Sequence, residues 1–452
     1  MAAVDTIAGP SASVRGNRIA VGSAAAIGVA ATLALFWPGL MSVDSAVQFA
    51  QARATYPLDD VHPVLMSLLW RALDRVLEGP GALFLLFVLG WWGGLAAWAA
   101  QWPMPRWGRP ALVLGVGLWP PTLLMLGHVW KDVGMSALLL WAAALIFAWR
   151  RRGSRTARTL ALLALGLAAA FRHNAVFAAL PLLLWWSWPR AQEAPRAWRR
   201  TALGAGLALL LAAAPGGLAR LADAGPRHPW TVVALWDLAA LSIDANAVKL
   251  PASVLAGPPL TVEELRAVFD PWANPRLFAV GKIKSSFYHD YTDGQLSDLR
   301  AAWWSAVRAD PLAYLRHRAR LTRYLMLGFP ESLPRELIYV PERVQLPSTH
   351  AILPPVDEDT GFWRGIASVR DSVLFAGALY LGLALLAVAI AYWRSAGEAR
   401  VAIVALAASA WCNALPLAFI SGSAEFRYLT WSALAGLLAL ALAASGARRG
   451  IG

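Results

Sequence analysis

A single cysteine, Cys412, leaves this chain no disulfide framework and no cysteine-based zinc site. Charge is scarce as well. Only 15% of the 452 residues are charged while 58% are hydrophobic, which excludes a disordered chain and an ordinary water-soluble enzyme. Long apolar runs dominate instead, and roughly 17–25 apolar residues suffice for a helix to cross a bilayer. Ten stretches qualify: 18–37, 81–101, 109–126, 133–149, 157–171, 174–189, 201–220, 370–393, 400–420 and 428–446, two of them short. The expected fold is an all-α polytopic membrane protein with about ten transmembrane helices. Residues 157–189 read as a tight hairpin, because one helix would place Arg172-His173-Asn174 in mid-bilayer.

The net charge of +13 suggests nucleic acid until its placement is considered. With a cytoplasmic N-terminus, the inner segments carry seventeen arginines (among them Arg15, Arg106, Arg150, Arg200, Arg394 and Arg449) against Asp5, Glu193 and Glu398. That is the positive-inside pattern, and it places both termini in the cytoplasm of a plasma (bacterial inner) membrane. These inner tips read as arginines with almost no partners. Nucleic-acid binding would need one clustered basic face, which this distribution does not require. Residues 15–37 read as a retained anchor: the apolar run is long and ends in Phe36-Trp37 without a small-residue cleavage site.

This topology divides the chain into an N-terminal membrane module, 1–220, an external region, 221–369, and a C-terminal membrane module, 370–452. The first external loop, 38–80, carries Leu65, Leu68, Leu69, Leu73, Val76 and Leu77 at helical spacing, with Arg71, Asp74, Arg75 and Glu78 opposite. Such a pattern predicts an amphipathic helix on the membrane surface. In the large loop between spans seven and eight, Thr261 to Glu264 spells a capping box, and Asp310-Pro311 an N-cap with a first-turn proline. The following helix sets Arg316, Arg318, Arg320 and Arg323 beside apolar residues, a basic face suited to lipid phosphate or to snorkelling at the interface. Pro330, Pro334, Pro341, Pro347, Pro354 and Pro355 mark an irregular return.

Polar clusters fall at one set of helix tips, all on the external side: Asp44, Asp60 and His62; His128, Lys131 and Asp132; Arg172, His173 and Asn174; Glu425 and Arg427. All seven histidines share that side. Ionisable groups beside a bilayer are costly and mark function by default. A lone ionised carboxylate such as Asp44 can take a proton from an attacking hydroxyl. Lys131, Arg172 and Arg427 can stabilise charge on a departing phosphate. Each residue has a structural alternative: a helix cap for Asp44 or Asp132, a loop-fixing pair for Asp60 and His62, a snorkelling cation for Lys131, and an ion pair with Glu425 for Arg427. Asp59 reads as solvated. Trp303-Trp304 reads as core packing or a sugar platform.

These residues give the chain a resemblance to the polytopic glycosyltransferases of the C superfamily, which include protein O-mannosyltransferases and aminoarabinose transferases of lipid A. Asp44 matches the acidic residue of the first external loop. Asp60-Val61-His62-Pro63 is similar to their Asp-x-His-Pro element. Lys131-Asp132, Arg172 and Arg427-Tyr428 resemble a Lys-Asp pair, a hairpin-tip base and an Arg-Tyr pair near the last span. Ser45 departs from the family's frequent Asp-Glu, and 221–369 matches no familiar soluble domain. The resemblance implies inverting transfer of a sugar from a polyprenyl-phosphate donor to a lipid, glycan or protein acceptor. Asp44 would be the base. Asp60, His62, His128, Lys131, Asp132, Arg172, His173, Asn174 and Arg427 would bind substrate, and helices 63–78 and 312–327 would wall a groove for the lipid tail. The resemblance fixes no cofactor; some members of that family use a divalent cation, for which Asp44, Asp60 and His62 are the candidate ligands. The competing class is a multi-span transporter or lipid flippase, for which the helix-breaking Pro120-Pro121 speaks.

Overall fold

The computed structural model describes residues 12–188, 197–328, 340, 343–344, 353, 356, 359–370 and 372–445. Six prolines of the expected return (Pro330, Pro334, Pro341, Pro347, Pro354 and Pro355) lie outside the described residues, as do Asp5, Arg190, Glu193, Arg196, Arg448 and Arg449. Among the described residues the structure is helical, with isolated bridges and no strand. The N-terminal half runs α1 (Ala12–Phe36), α2 (Val43–Ala52), α3 (Leu65–Asp74), α4 (Gly81–Gln101), α5 (Gly108–Gly117), α6 (Pro120–Leu126), α7 (Lys131–Arg152), α8 (Arg155–Phe171), α9 (Ala175–Ser187) and α10 (Ala197–Leu221). The polar segment forms α11 (Trp230–Asp244), α12 (Val262–Val268), α13 (Pro275–Phe278), α14 (Asp293–Ala309), α15 (Pro311–Leu327) and α16 (Gly361–Val369). The chain closes with α17 (Gly377–Arg394), α18 (Gly397–Ala414), α19 (Leu417–Ile420) and α20 (Thr430–Ser445).

Seven helices are long and apolar enough to cross a membrane, and eight if the pair α5–α6, bent by 65°, counts as one. Among the described residues, each apolar run of the sequence contains α-helix. The runs at 157–171 and 174–189 form the short helices α8 and α9, joined through an extended Arg172. The α5–α6 bend follows from Pro120, which disfavours helical geometry at Trp119 and starts the next helix. Thr122 Oγ1 lies 2.8 Å from Val116 O and 2.9 Å from Trp119 O, meeting carbonyls that the break frees.

The core centres on α7, 83% of whose membrane-length window is buried, enclosed by α4, α8, α9, α18 and α20. Close approach depends on glycine at one crossing: a Cβ at Gly436 of α20 would stand 2.5 Å from Tyr380 O of α17. The outer helices expose Ile19, Ile27, Leu163, Leu209, Leu210 and Leu385. Such an apolar belt is stable against lipid and costly in water, as expected of a polytopic membrane protein.

Two sequence expectations change. The helix of the first interhelical segment ends at Asp74 rather than at 78, because Asp74 accepts the Gly79 N–H at 2.7 Å and pairs with Arg53 at 2.9 Å. Val76 and Leu77 are consequently exposed. That helix also has a partner, α2. Trp70 packs on Phe49 with ring centroids 4.9 Å apart, Ser67 donates to Gln51 Oε1 at 3.0 Å, and Arg71 donates to Ala52 O at 2.9 Å. Secondly, the arginines expected on the inner side are not partnerless. Arg150 pairs with Glu398 at 2.7 Å and donates to Trp188 O at 3.0 Å. In the polar segment the Thr261–Glu264 capping box and the Asp310 cap form as the sequence predicts.

Candidate functional site

Asp44 is placed by the segment before it. The chain leaves α1 through Gly39, at φ +110°, and pairs with residues 127–129: Leu40 N–H donates to Gly127 O and Val129 N–H to Leu40 O, both at 2.9 Å. Ser45 then donates to Val129 O at 2.8 Å, and Trp130 Nε1 donates to Ser42 Oγ at 2.9 Å. These bonds seat the first turn of α2 against the start of α7, so Asp44 faces Lys131. Arg343 donates to Phe36 O, Trp37 O and Gly39 O, satisfying carbonyls where α1 ends.

Three cationic or ionisable groups converge on the Asp44 carboxylate. Arg427 lies 2.8 Å away, Lys131 Nζ 3.5 Å and His62 Nε2 3.8 Å. Burial would raise the Asp44 carboxyl, but the positive charges of Arg427 and Lys131 outweigh it and hold the group well below the usual carboxylate range. Its side chain is 29% exposed, so one side stays open. Lys131 Nζ also stands 2.8 Å from His62 Nδ1, an ammonium donating to a neutral ring. Burial and that neighbouring charge push His62 down to about 3.

Arg427 is shared. It pairs with Glu425 and stacks over Trp130, 5.2 Å from the ring centroid. Glu425 also accepts from Ser423 Oγ at 2.6 Å and from Tyr428 OH at 2.9 Å. Beside this group lies a buried ion pair between Arg172 and Asp132, with the Arg172 guanidinium 4.6 Å over the Tyr428 ring. Asp132 occupies the first turn of α7, where helix N–H groups favour negative charge. Helix ends distant in sequence, at α2, α7, α8 and α20, thus meet in one cluster of alternating charge.

The other candidate residues have different surroundings. Asp60 accepts the Arg227 N–H at 2.5 Å and its own N–H donates to Gly225 O at 3.1 Å, tying the loop to residues 225–227. Asp59, expected to be solvated, is buried and accepts the Val61 N–H at 3.1 Å, because the bridge to Gly225 folds it inward. His128 stacks on Trp130 with centroids 3.8 Å apart. Its Nδ1 lies 2.8 Å from Leu124 O, while Nε2 meets Val340 across the site's edge. Burial pushes His128 down to about 4. His173 is exposed, and Asn174 is buried at the N-cap of α9. Of the three candidate cation ligands, Asp60 is engaged by Arg227, and Lys131 stands within 3.5 Å of the other two. Ser42, Ser45, Trp130 and Ser423 escaped the sequence reading. Only the Ser-x-x-Ser spacing at the start of α2, a capping pattern, hinted at the first two.

His62 and His128 give the protein an acid limb with a definite sign. An unfolded chain takes up protons at both positions below about pH 6.5, whereas the native protein resists until about pH 3 at His62 and about 4 at His128. Their contribution is therefore intact above pH 6.5 and lost as pH falls through that window; the Asp44 contribution is lost only below the usual carboxylate range. Lowering pH from 7 to 5 is expected to cost on the order of 2 kcal/mol per histidine. Thermal unfolding in detergent would measure it, and a His62→Gln variant should lose the share of one histidine, on the order of 2 kcal/mol over that range.

Comparison with family models, curated proteins and solved structures returns no match for this chain.

Proposed function

We propose that the protein is an inverting glycosyltransferase that moves a sugar from a polyprenyl phosphate to an acceptor hydroxyl or amine at the outer face of the membrane. The observation that carries this reading is the Asp44 carboxylate, ionised, open on one side and set among Arg427, Lys131 and His62. In the proposed step the acceptor oxygen or nitrogen attacks the anomeric carbon and its proton passes to Asp44. The bond from that carbon to the phosphate oxygen breaks, and the electron pair leaves with the polyprenyl phosphate. Arg427 and Lys131 turn part of their charge from Asp44 to that phosphate, which makes the carboxylate a better base as the donor arrives. Arg172, held by Asp132, adds positive charge beside them. Ten membrane crossings with both termini cytoplasmic belong to the same proposal, since they put the cluster on the outer side.

The bent pair α5–α6 is the feature that favours transport instead. Against it, the charged cluster gathers at helix ends rather than midway along them. The test is incubation of purified protein with a panel of polyprenyl-phosphate sugars, following release of polyprenyl phosphate. Sugar-dependent release supports transfer. No release from any donor, together with solute movement into liposomes bearing the protein, would replace it with transport.

A further inference from the structure

A second buried ionic group lies in the segment between the membrane modules, and the transfer step makes no direct use of it. Asp237 of α11 is fully buried and receives Arg318 NH2 of α15 at 2.6 Å and Trp303 Nε1 of α14 at 2.8 Å. His317 Nε2 lies 3.2 Å from the same carboxylate. An ionic cluster this dry is expensive to build, and packed apolar residues of similar volume would serve stability as well. Its geometry shows what the expense is spent on. The other terminal nitrogen of Arg318, NH1, reaches out of the cluster and donates to Ser421 O at 2.8 Å.

Ser421 begins the turn that carries Glu425 and Arg427. Its hydroxyl donates to Ser423 O at 2.6 Å, and Ser423 Oγ donates to Glu425 Oε1 at 2.6 Å. The turn is clamped from the same side elsewhere: Ala424 N–H donates to Trp272 O at 2.7 Å. Gly422 packs against Asn274, whose Nδ2 would stand 2.4 Å from a Cβ there and would have to shift to admit one. Arg318 therefore stands at the head of a series of polar contacts that passes from residue to residue, by backbone carbonyl and hydroxyl in turn, through Ser421, Ser423, Glu425 and Arg427 to Asp44.

We infer that Arg318 is a positioning residue: anchored by Asp237, it fixes the 421–425 turn so that Arg427 meets the Asp44 carboxylate. Arginine is required because one planar fork bonds the carboxylate and the carbonyl together, whereas a lysine ammonium can neutralise Asp237 but holds no such fixed span. The segment between the membrane modules thereby helps to set the electrostatics of a site it does not enter.

The test compares Arg318→Lys, Ser423→Ala and the double variant in full-length protein, each checked for native helicity and a monodisperse elution profile. Modification of Asp44 by a water-soluble carbodiimide, quantified by peptide mass spectrometry, reads whether Arg427 still covers the carboxylate. Each single variant should raise Asp44 labelling about fivefold, and the double variant no further than the larger single effect, as for two members of one path. Asp74, paired with Arg53 far from the turn, should label as in the unaltered protein. Wild-type labelling in folded Ser423→Ala, or single effects that multiply in the double variant, would overturn the inference. If Arg318→Lys does not fold, Ser423→Ala decides alone. A second arm, turnover of the polyprenyl-phosphate sugar, rests on the transfer reading. Raised labelling in a protein without transfer activity would retain Arg318 as the positioning residue and discard that reading.

Discussion

Asp44→Asn is expected to lower sugar transfer by about 10²–10⁴-fold, the range a positioned general base contributes, while leaving protein level and membrane insertion unchanged. The substitution keeps the shape and removes the charge. Arg427 retains Glu425 as its counter-ion, so the site does not lose its only anion. The cations that now face Asp44 become free for the donor's phosphate. The donor's KM should therefore stay level or fall while kcat collapses, a split that damage to the fold would not produce. Steady-state transfer assays across donor concentration would show it. Near-normal turnover in this variant would remove Asp44 as the base.

Arg172→Met should be the most destabilising single change at the site. Asp132, almost completely buried, would keep its charge without its partner, and breaking a buried ion pair from one side costs about 3–5 kcal/mol. Removing both charges in Asp132→Asn with Arg172→Met should restore most of that loss, because no orphaned charge remains. Thermal unfolding in detergent measures the pair and its repair. Activity then separates two roles. If Arg172 only braces α7 against the α8–α9 turn, the double variant regains transfer together with stability. If its charge also holds the donor, stability returns while donor use stays weak, with acceptor use less affected.

The membrane helices were readable because bilayer thickness imposes a length on apolar runs, and that length survives in any sequence that spans. The order of polar tips was readable too, since ionisable residues stand out against Ala and Leu. What joins them was not. Ser42, Ser45 and Trp130 are common residue types whose meaning lies in bonds between α2 and the start of α7, far apart in sequence. Arg318 was submerged in a basic stripe with Arg316, Arg320 and Arg323, although only it turns inward. A trace was present: Ala313, His317, Leu321 and Leu325 recur every fourth residue, which puts His317 on the buried face with Arg318 at its edge. The end of α3 at Asp74 was hidden for a related reason, because leucine periodicity continues past the point where Arg53 and Gly79 capture the carboxylate.

The bond between Asp44 and Arg427 joins residues far apart in the sequence. A ribosome feeding the chain into the membrane delivers the acid long before its counter-charge. Until then the carboxylate can rely on Lys131 and on water, and the charge cluster is unfinished. The cluster therefore balances its charges only when the helix that follows Arg427 docks, so its closure reports that distant parts of the chain have met.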